Sequence, residues 1–322
     1  MGNEQQKVDG VIDTTGFPVP PAEQNLPAMW AEHVCDVGEG GGILEGLCFD
    51  RTGILWFVDC PHALIYRLDS ADPAPKPEVA FKMPEGGLPS AVKIHKDGRL
   101  FITCVMSDRG PGIFVMSTEG AVLDCISAGE RWVDDMVFLS DGNLLYTTLD
   151  GTMGAPTAGV YHVDVHTRET TCLASGMIAT NGIALTPDER GLWMTEYGRG
   201  LLHFWELADD KRSISTCGSW VAYHFTGLEG PDSACIDADG NLYVAVCGQG
   251  RYLAFNSQGI PVRQYLIPGR ELYQMDKSTH PQVRPGTDEL WMCASDTRGG
   301  TGRMALYKEP ALAGAYRNYQ FQ

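Results

Sequence analysis

Residues 42–59, "GILEGLCFDRTGILWFVD", decide the fold because they contain two short apolar strands joined by a tight turn. The strands are "LCF" and "ILWFV", and the "DRTG" between them supplies the Asp and Gly that a hairpin reversal needs. Glu45 opens the first strand, where a buried strand ordinarily carries an apolar side chain. A carboxylate at this position has to face something other than a hydrophobic core.

The same unit recurs five more times along the chain. The turns fall near residues 53, 98, 142, 189, 240 and 288, at intervals of 45, 44, 47, 51 and 48 residues. Candidates for a fourth strand, such as "PEVAFKM" and "ETTCLAS", lie between the units. Four strands at this period are typical of a propeller blade. The sequence therefore predicts an all-β fold, a six-bladed β-propeller with four antiparallel strands per blade, in residues 31–322.

The two ends of the chain do not follow the repeat. Residues 1–30 are rich in proline and lack periodicity, which predicts an N-terminal arm that either packs along the propeller or forms a mobile tail. Residues 315–322, "AYRNYQFQ", are a candidate for closing the ring by pairing with early strands. No apolar run approaches the roughly 18 residues of a membrane span, and no signal-peptide pattern is visible.

The net charge and the distribution of cysteines limit which partners and which cellular compartment are expected. The formal net charge is −17, so the surface repels phosphate backbones and anionic lipids, and neither nucleic acid nor membrane is an expected partner. The ten cysteines are scattered through apolar runs without a CxxC motif. This pattern indicates free thiols in a reducing compartment, and a cytoplasmic location is predicted.

Polar residues open the first strand of each repeat. In a propeller these strands line the central tunnel, so their first residues converge on the axis. The openers are Glu45, Ser90, Asp134 with Asp135, Asn181, Asp232 and His280. Carboxylate and amide oxygens favour Ca²⁺ or Mg²⁺ over soft metals, while Zn²⁺ and Mn²⁺ stay open. Any one carboxylate alone is better explained as a turn cap, but a shared register favours one cation site.

Three motifs together resemble the SMP-30/gluconolactonase family of regucalcin-like six-bladed lactonases. They are "LEGLCFD…LWFVD…IYRLD", "TNGIALTPDERGLWMTE" and "EGPDSACIDADGNLYVAVCGQGRYLAFNSQG", and the resemblance covers about residues 35–310. It implies a divalent metal on Glu45, Asn181 and Asp232. A further Asn-Asp pair of the family, which contributes to metal or substrate binding, aligns with Asp134 and Asp135.

The chain departs from the family pattern around the third blade. Asp134 replaces the Asn of the pair, which makes the site more anionic, and Asp134 joins the predicted metal ligands. The expected Arg is displaced to Arg131, and Trp132 stands in its place. The family's PDG motif also reads "PDS", with Ser233. Trp132 suggests a more apolar or aromatic ligand than a sugar lactone, the alternative being that Trp132 packs between blades.

The resemblance implies a metal-dependent hydrolase that opens a small-molecule lactone. The metal, with Ca²⁺ favoured, polarises the carbonyl of the cyclic ester, and a carboxylate takes a proton from water. Asp135 is the first candidate for this general base, and Asp232 is the second. Substrate contacts are expected from Asp134, Trp132, Arg131, Tyr197 and His280.

Three other functions fit the same scaffold. One is a phosphotriesterase that uses the same metal on a phosphoryl oxygen. Another is a non-catalytic propeller that binds a metal or ligand, and the last is a condensing enzyme of the strictosidine-synthase type. Fold alone does not choose among them. Retention of the four predicted metal ligands argues against the last two. A comparison of lactones with an organophosphate ester would separate the lactonase, which the resemblance favours, from the phosphotriesterase.

Overall fold

The computed structural model describes residues 16–322, which form six sheets arranged radially around one axis. Each of blades 1 to 3 contains four consecutive strands, numbered from the axis outward. Their bounds are β3 Leu44–Phe49, β4 Ile54–Asp59, β5 Leu64–Asp69 and β6 Glu78–Lys82; β7 Leu88–Ile94, β8 Leu100–Met106, β9 Gly112–Met116 and β10 Val122–Ser127; β11 Val133–Phe138, β12 Leu144–Thr148, β13 Ala158–Val163 and β14 Thr170–Met177.

Blades 4 and 5 repeat this order, and blade 6 takes its outermost strand from the start of the chain. The bounds are β15 Thr180–Leu185, β16 Gly191–Glu196, β17 Leu201–Leu207 and β18 Ile214–His224; β19 Pro231–Ile236, β20 Leu242–Val246, β21 Arg251–Phe255 and β22 Pro261–Leu266; β23 Lys277–Val283, β24 Glu289–Ser295, β25 Met304–Pro310 and β2 Glu32–Asp36. The predicted six-bladed propeller is confirmed.

The inner strands β3, β7, β11, β15, β19 and β23 contact one another in a closed ring, with β23 against β3. Both faces of a blade are covered by its neighbours, so the first three strands of most blades are almost wholly buried. The side chains between adjacent blades form separate apolar clusters, for example the one in which the ring centres of Phe49 of blade 1 and Trp291 of blade 6 lie 5.7 Å apart. The axial end where the inner strands begin is called the mouth here, and the opposite end, with the hairpin turns, the floor.

The ring is closed by β2 rather than by residues 315–322. The pairing of β2 with β25 is antiparallel, with Asp36 opposite Ala305. The expectation that the last eight residues pair with early strands was wrong, because β2 already occupies the outer edge of β25.

Residues 311–322 instead cross the floor of the propeller. This segment bonds to the hairpin turns of blades 6 and 5 and then reaches Pro187 of blade 4 through Tyr316. Tyr319 lies in the 3-10 helix Tyr319–Phe321, and its ring packs against Phe138 of blade 3. Its hydroxyl oxygen is 2.9 Å from Nε2 of His95 in blade 2. Gln320 donates to the carbonyl of Phe49 in blade 1. One short segment thus contacts all six blades.

The described part of the N-terminal arm packs on blade 5. It contains the 3-10 helix Pro21–Glu23 and strand β1 (Ala28–Trp30), which pairs in parallel with β22. Glu23 forms an ion pair with the fully buried Arg251 and accepts a hydrogen bond from Tyr223. Residues 1–15 of the predicted arm lie outside the described residues.

The remaining helices of the described residues are the 3-10 turns Tyr197–Arg199 and Arg270–Leu272. No helix within residues 16–322 has the length and apolar character that crossing a membrane requires. All ten cysteines are free, as the sequence indicates.

Candidate active site

Each inner strand has an irregularity in its pairing close to the mouth. In β11, β15 and β19 the register shifts across Asp134, Asn181 and Asp232 respectively. A bulge of this kind releases a residue from the ladder and re-aims its side chain. Glu45 lies one position earlier, directly before the shift in β3, where it still pairs with Val58. Four blades can therefore direct polar side chains to the axis.

Two glycines let neighbouring inner strands approach closely at this level. A Cβ on Gly46 would lie 2.6 Å from the Cα of Ala91, and one on Gly182 would lie 2.7 Å from the backbone nitrogen of Ala234. Gly46 also has a φ of +66°, which few other residues adopt without strain. The "EG" and "NG" pairs thus combine a polar side chain with the space that a narrow ring of strands requires.

Three buried threonines attach the candidate ligands to the neighbouring blade. Thr103, Thr147 and Thr195 occupy corresponding places in β8, β12 and β16, and each side chain is wholly buried. Their hydroxyls donate to the backbone carbonyls of the next blade at, respectively, Asp134, Asn181 and Asp232. Each hydroxyl also accepts a backbone N–H from its own blade. The backbone at the bulges is therefore fixed from both sides.

Three carboxylates at the mouth come close enough to influence one another's ionisation. Burial raises the pKa of Glu45 well above its usual value, and the charges of Asp232, Asp134 and Asp135 raise it further. The pKa of Asp134 is raised in the same way, by burial and then by Asp232 and Asp135. Burial raises the pKa of Asp232 to about 7. Like charges gathered in one poorly hydrated place favour the binding of a cation.

The fourth candidate, Asn181, lies beside Asp232. The hydroxyl of Ser233 is 3.4 Å from Asn181 Oδ1, and the Asp232 carboxylate accepts the Ser233 N–H at 3.0 Å. Asp134, Asn181 and Asp232 keep 6–8% of their surface exposed. Within residues 16–322, no three His, Cys, Asp or Glu side chains are already in ligand geometry around a point. The structure brings the four residues to the same end of the axis without forming a compact cluster.

A second polar group lies deeper in the tunnel. Asp135 is 1% exposed, and its Oδ1 lies 3.1 Å from Lys93 Nζ of blade 2. Lys93 Nζ is also 3.4 Å from Nε2 of the fully buried His280 of blade 6. Burial and the charge of Lys93 lower the pKa of His280 well below its usual value, so this imidazole is neutral. Its Nδ1 lies 3.9 Å from Glu45 Oε2.

Sequence reasoning missed Lys93 and the three threonines. The signal for Lys93 is a cation inside the apolar run "AVKIH" of an inner strand. The signal for the threonines is the recurrence of Thr near the end of the second strand in "LFITC", "LLYTT" and "LWMTE".

Tyr197 belongs to a network on the rim of the mouth. Its hydroxyl donates to Glu229 Oε2 at 2.8 Å, and Lys277 Nζ lies 2.6 Å from the same oxygen. Burial alone would raise the pKa of Glu229, but hydrogen bonds from Lys277, Tyr197 and Cys247 lower it to about 2. Burial raises the pKa of Tyr197, and its hydrogen bond to the charged Glu229 raises it further.

The side chains of Trp132 and Arg131 lie in different surroundings. Trp132 is 47% exposed at the mouth end of β11, so it does not pack between blades. Arg131 turns outward, with Cζ 4.6 Å from the centre of the Tyr161 ring. It lines a side cavity of ≈ 540 Å³ with Glu130, Asp150, Thr157 and Tyr161. The structure shows Arg131 in contact with this cavity rather than with the four candidate ligands.

The sequence over residues 43–274 matches the family model described as "SMP-30/Gluconolactonase/LRE-like region". The chain belongs to the SMP-30/gluconolactonase family. Within this family it is 40% identical over 309 residues to "Lactonase drp35" of Staphylococcus saprophyticus, with 94% of both chains covered. It is 41% identical over 307 residues to the protein of the same name in Staphylococcus aureus, covering 94% of this chain and 93% of that one.

Several solved structures share the fold at lower sequence identity. A luciferin-regenerating enzyme aligns with a TM-score of 0.71 and 18% identity, covering 89% of this chain and 99% of that one. Regucalcin of Agrobacterium tumefaciens, described as a calcium-binding protein, gives a TM-score of 0.69 at 18% identity over 90% and 98% of the two chains. At such identities the likeness concerns the propeller alone.

Proposed function

We propose that this protein hydrolyses lactones at a divalent-cation centre at the mouth of the propeller. The observation that carries the proposal is that three blades bring Glu45, Asp134 and Asp232 to the same end of the axis, each with a raised pKa. The reaction class is supported by relatives named lactonase that align over 94% of the chain.

The residues present fit a divalent cation. Glu45, Asp134 and Asp232 offer carboxylate oxygens, Asn181 offers an amide oxygen, and the mutual repulsion of the carboxylates is what a cation would relieve. This donor set is typical of Ca²⁺, with Mg²⁺, Mn²⁺ and Zn²⁺ as alternatives. When bound, such an ion supplies Lewis acidity that polarises the lactone carbonyl.

The two candidate bases differ in their surroundings. Asp232 keeps 6% of its surface exposed at the mouth, where a water molecule can reach its carboxylate. Asp135 is almost wholly buried and is bound to Lys93. We therefore place the general base at Asp232 in preference to Asp135, and in this scheme Asp232 takes the proton of the water that attacks the ester carbon.

The residues expected to contact the substrate differ in how far their side chains are exposed at the mouth. Trp132, two residues before Asp134, presents an exposed ring at the mouth end of β11, which suits an apolar or aromatic substituent on the lactone. Tyr197 is committed to Glu229, and His280 is wholly buried below the mouth. We propose Trp132 and Asp134 as substrate contacts, with roles for Tyr197, His280 and Arg131 in holding the surrounding structure.

The test is a pH-indicator assay on aliphatic, sugar and aromatic lactones, run beside an organophosphate ester. Metal-stripped protein is assayed with and without added Ca²⁺, Mg²⁺, Mn²⁺ or Zn²⁺. Activity on lactones that depends on the cation and is lost in Asn181→Ala and Asp232→Ala supports the proposal. Turnover of the phosphate ester alone would indicate a phosphotriesterase. Cation binding without turnover of either class would indicate a binding propeller.

A further inference from the structure

Lys93 joins three blades below the mouth. It extends from β7 of blade 2, its side chain is 16% exposed, and its Nζ lies 3.1 Å from Asp135 Oδ1 in blade 3. The same nitrogen is 3.4 Å from His280 Nε2 in blade 6. The proposed reaction gives Lys93 no part, yet a partly buried ammonium next to a predicted cation centre needs a physical reason.

Asp135 is the residue that Lys93 constrains. It lies in the same bulge as Asp134, and its charge adds to the effect of burial in raising the pKa values of both Glu45 and Asp134. Its Oδ1 accepts the Lys93 ammonium and also the backbone N–H of Met136 at 2.8 Å. Its buried Oδ2 has no hydrogen-bond partner among the described residues. A carboxylate oxygen without a partner, next to the candidate ligands, is itself a hard donor for a cation.

We propose that Lys93 is a positioning residue that keeps Asp135 out of the ligand set of the cation. The ion is then held by three carboxylates and one amide instead of four carboxylates and one amide. Affinity for Ca²⁺ rises with the number of charged ligands, whereas catalysis requires a coordination position that the substrate can occupy. The inference rests on the proposed function, because it presumes a divalent cation at the mouth.

Calorimetric titration of metal-stripped protein with Ca²⁺ tests the inference without any activity measurement. Lys93→Met is expected to bind Ca²⁺ at least tenfold more tightly than the wild type, since Asp135 becomes free to join the ligands. Lys93→Arg retains the charge and should stay within about threefold of the wild type. Lys93→Ala replaces Lys93→Met if circular dichroism shows that the methionine variant does not fold.

The comparison of Asp135→Asn with the double variant Lys93→Met/Asp135→Asn separates positioning from a long-range effect of charge. If Lys93 acts through Asp135, removing the ammonium from a protein that already carries Asp135→Asn should change the affinity less than about twofold. Equal tightening with and without Asp135→Asn would show a simple charge effect and overturn the inference, as would unchanged affinity in folded Lys93→Met. A wild-type protein that binds none of the four divalent cations would refute the metal centre itself, and the inference with it.

Discussion

The hydroxyl of Thr195 in blade 4 donates a hydrogen bond of 2.8 Å to the backbone carbonyl of Asp232 in blade 5. The same hydroxyl accepts the N–H of Gly182 at 2.7 Å, so one side chain connects the bulges that carry Asn181 and Asp232. The arrangement recurs at Thr103 and Thr147. The tunnel wall is thus tied between blades at each position where a candidate ligand leaves the strand ladder.

Replacing Thr195 by Val should destabilise the protein and weaken the binding of a cation. The substitution keeps the shape but leaves a buried N–H and a buried carbonyl without partners, at a cost of about 2 kcal/mol. Urea denaturation measures the stability, and Ca²⁺ titration measures the affinity. Thr195→Ser, which retains the hydroxyl, is the control and should lose less stability and less affinity for Ca²⁺ than Thr195→Val. Equal losses in the two variants would contradict the role assigned to the hydrogen bonds.

Replacing Gly46 by Ala should be much more disruptive than replacing Gly41 by Ala. Both glycines have positive φ, but a Cβ on Gly46 meets backbone of blade 2, whereas one on Gly41 has nothing within 4 Å. Gly41→Ala is expected to cost about 1 kcal/mol from backbone strain alone. Gly46→Ala should cost clearly more, because the inner strands must separate. Thermal unfolding of the two variants, measured together, gives the comparison.

Glu23→Gln should strongly destabilise the propeller, although Glu23 precedes the first blade. Its carboxylate neutralises Arg251, which is 0% exposed. Removing one partner of a buried ion pair costs about 3–5 kcal/mol, because the remaining charge has no compensation. The double variant Glu23→Gln/Arg251→Met removes both charges, and equilibrium denaturation should show it to be more stable than the single variant. A single variant as stable as the wild type would contradict the pairing.

We expect Glu229 to make the stability of the folded protein depend on pH in the acid range. Its folded-state pKa of about 2 lies below the roughly 4.3 of an unfolded Glu, so its ionised form stabilises the folded state above that value. This contribution is lost as the pH falls from about 4 towards 2. Since the group is partly hydrated, we expect about 1 kcal/mol at pH 7. Denaturation of the wild type and Glu229→Gln should therefore differ at pH 7 and converge near pH 2.

The sequence was sufficient to predict the six blades because each repeat carries its own turn residues and its own apolar pattern. It was also sufficient to place Asp134, Asn181 and Asp232 at equivalent positions, since each lies at the corresponding bulge of its own inner strand. The offset of Glu45 by one position was not visible, because a bulge depends on the partner strand.

A local sequence pattern could not predict the contacts between blades. Lys93 and His280 are 187 residues apart in the sequence, and Glu23 and Tyr223 are 200 apart. Nothing near either member of these pairs indicates its partner. The ring-closing strand was missed for a related reason, since β2 has few apolar residues and both Glu32 and His33 are exposed.

The path of residues 311–322 has a practical consequence for attaching the protein to a surface. Because the segment crosses beneath the hairpin turns and ends at blade 1, Gln322 lies on the side away from Glu45 and Asp232. A peptide tether joined after Gln322 would therefore leave the mouth facing the bulk solution. A tether inserted before Tyr319 would instead pull out the aromatic ring that fastens blades 2 and 3.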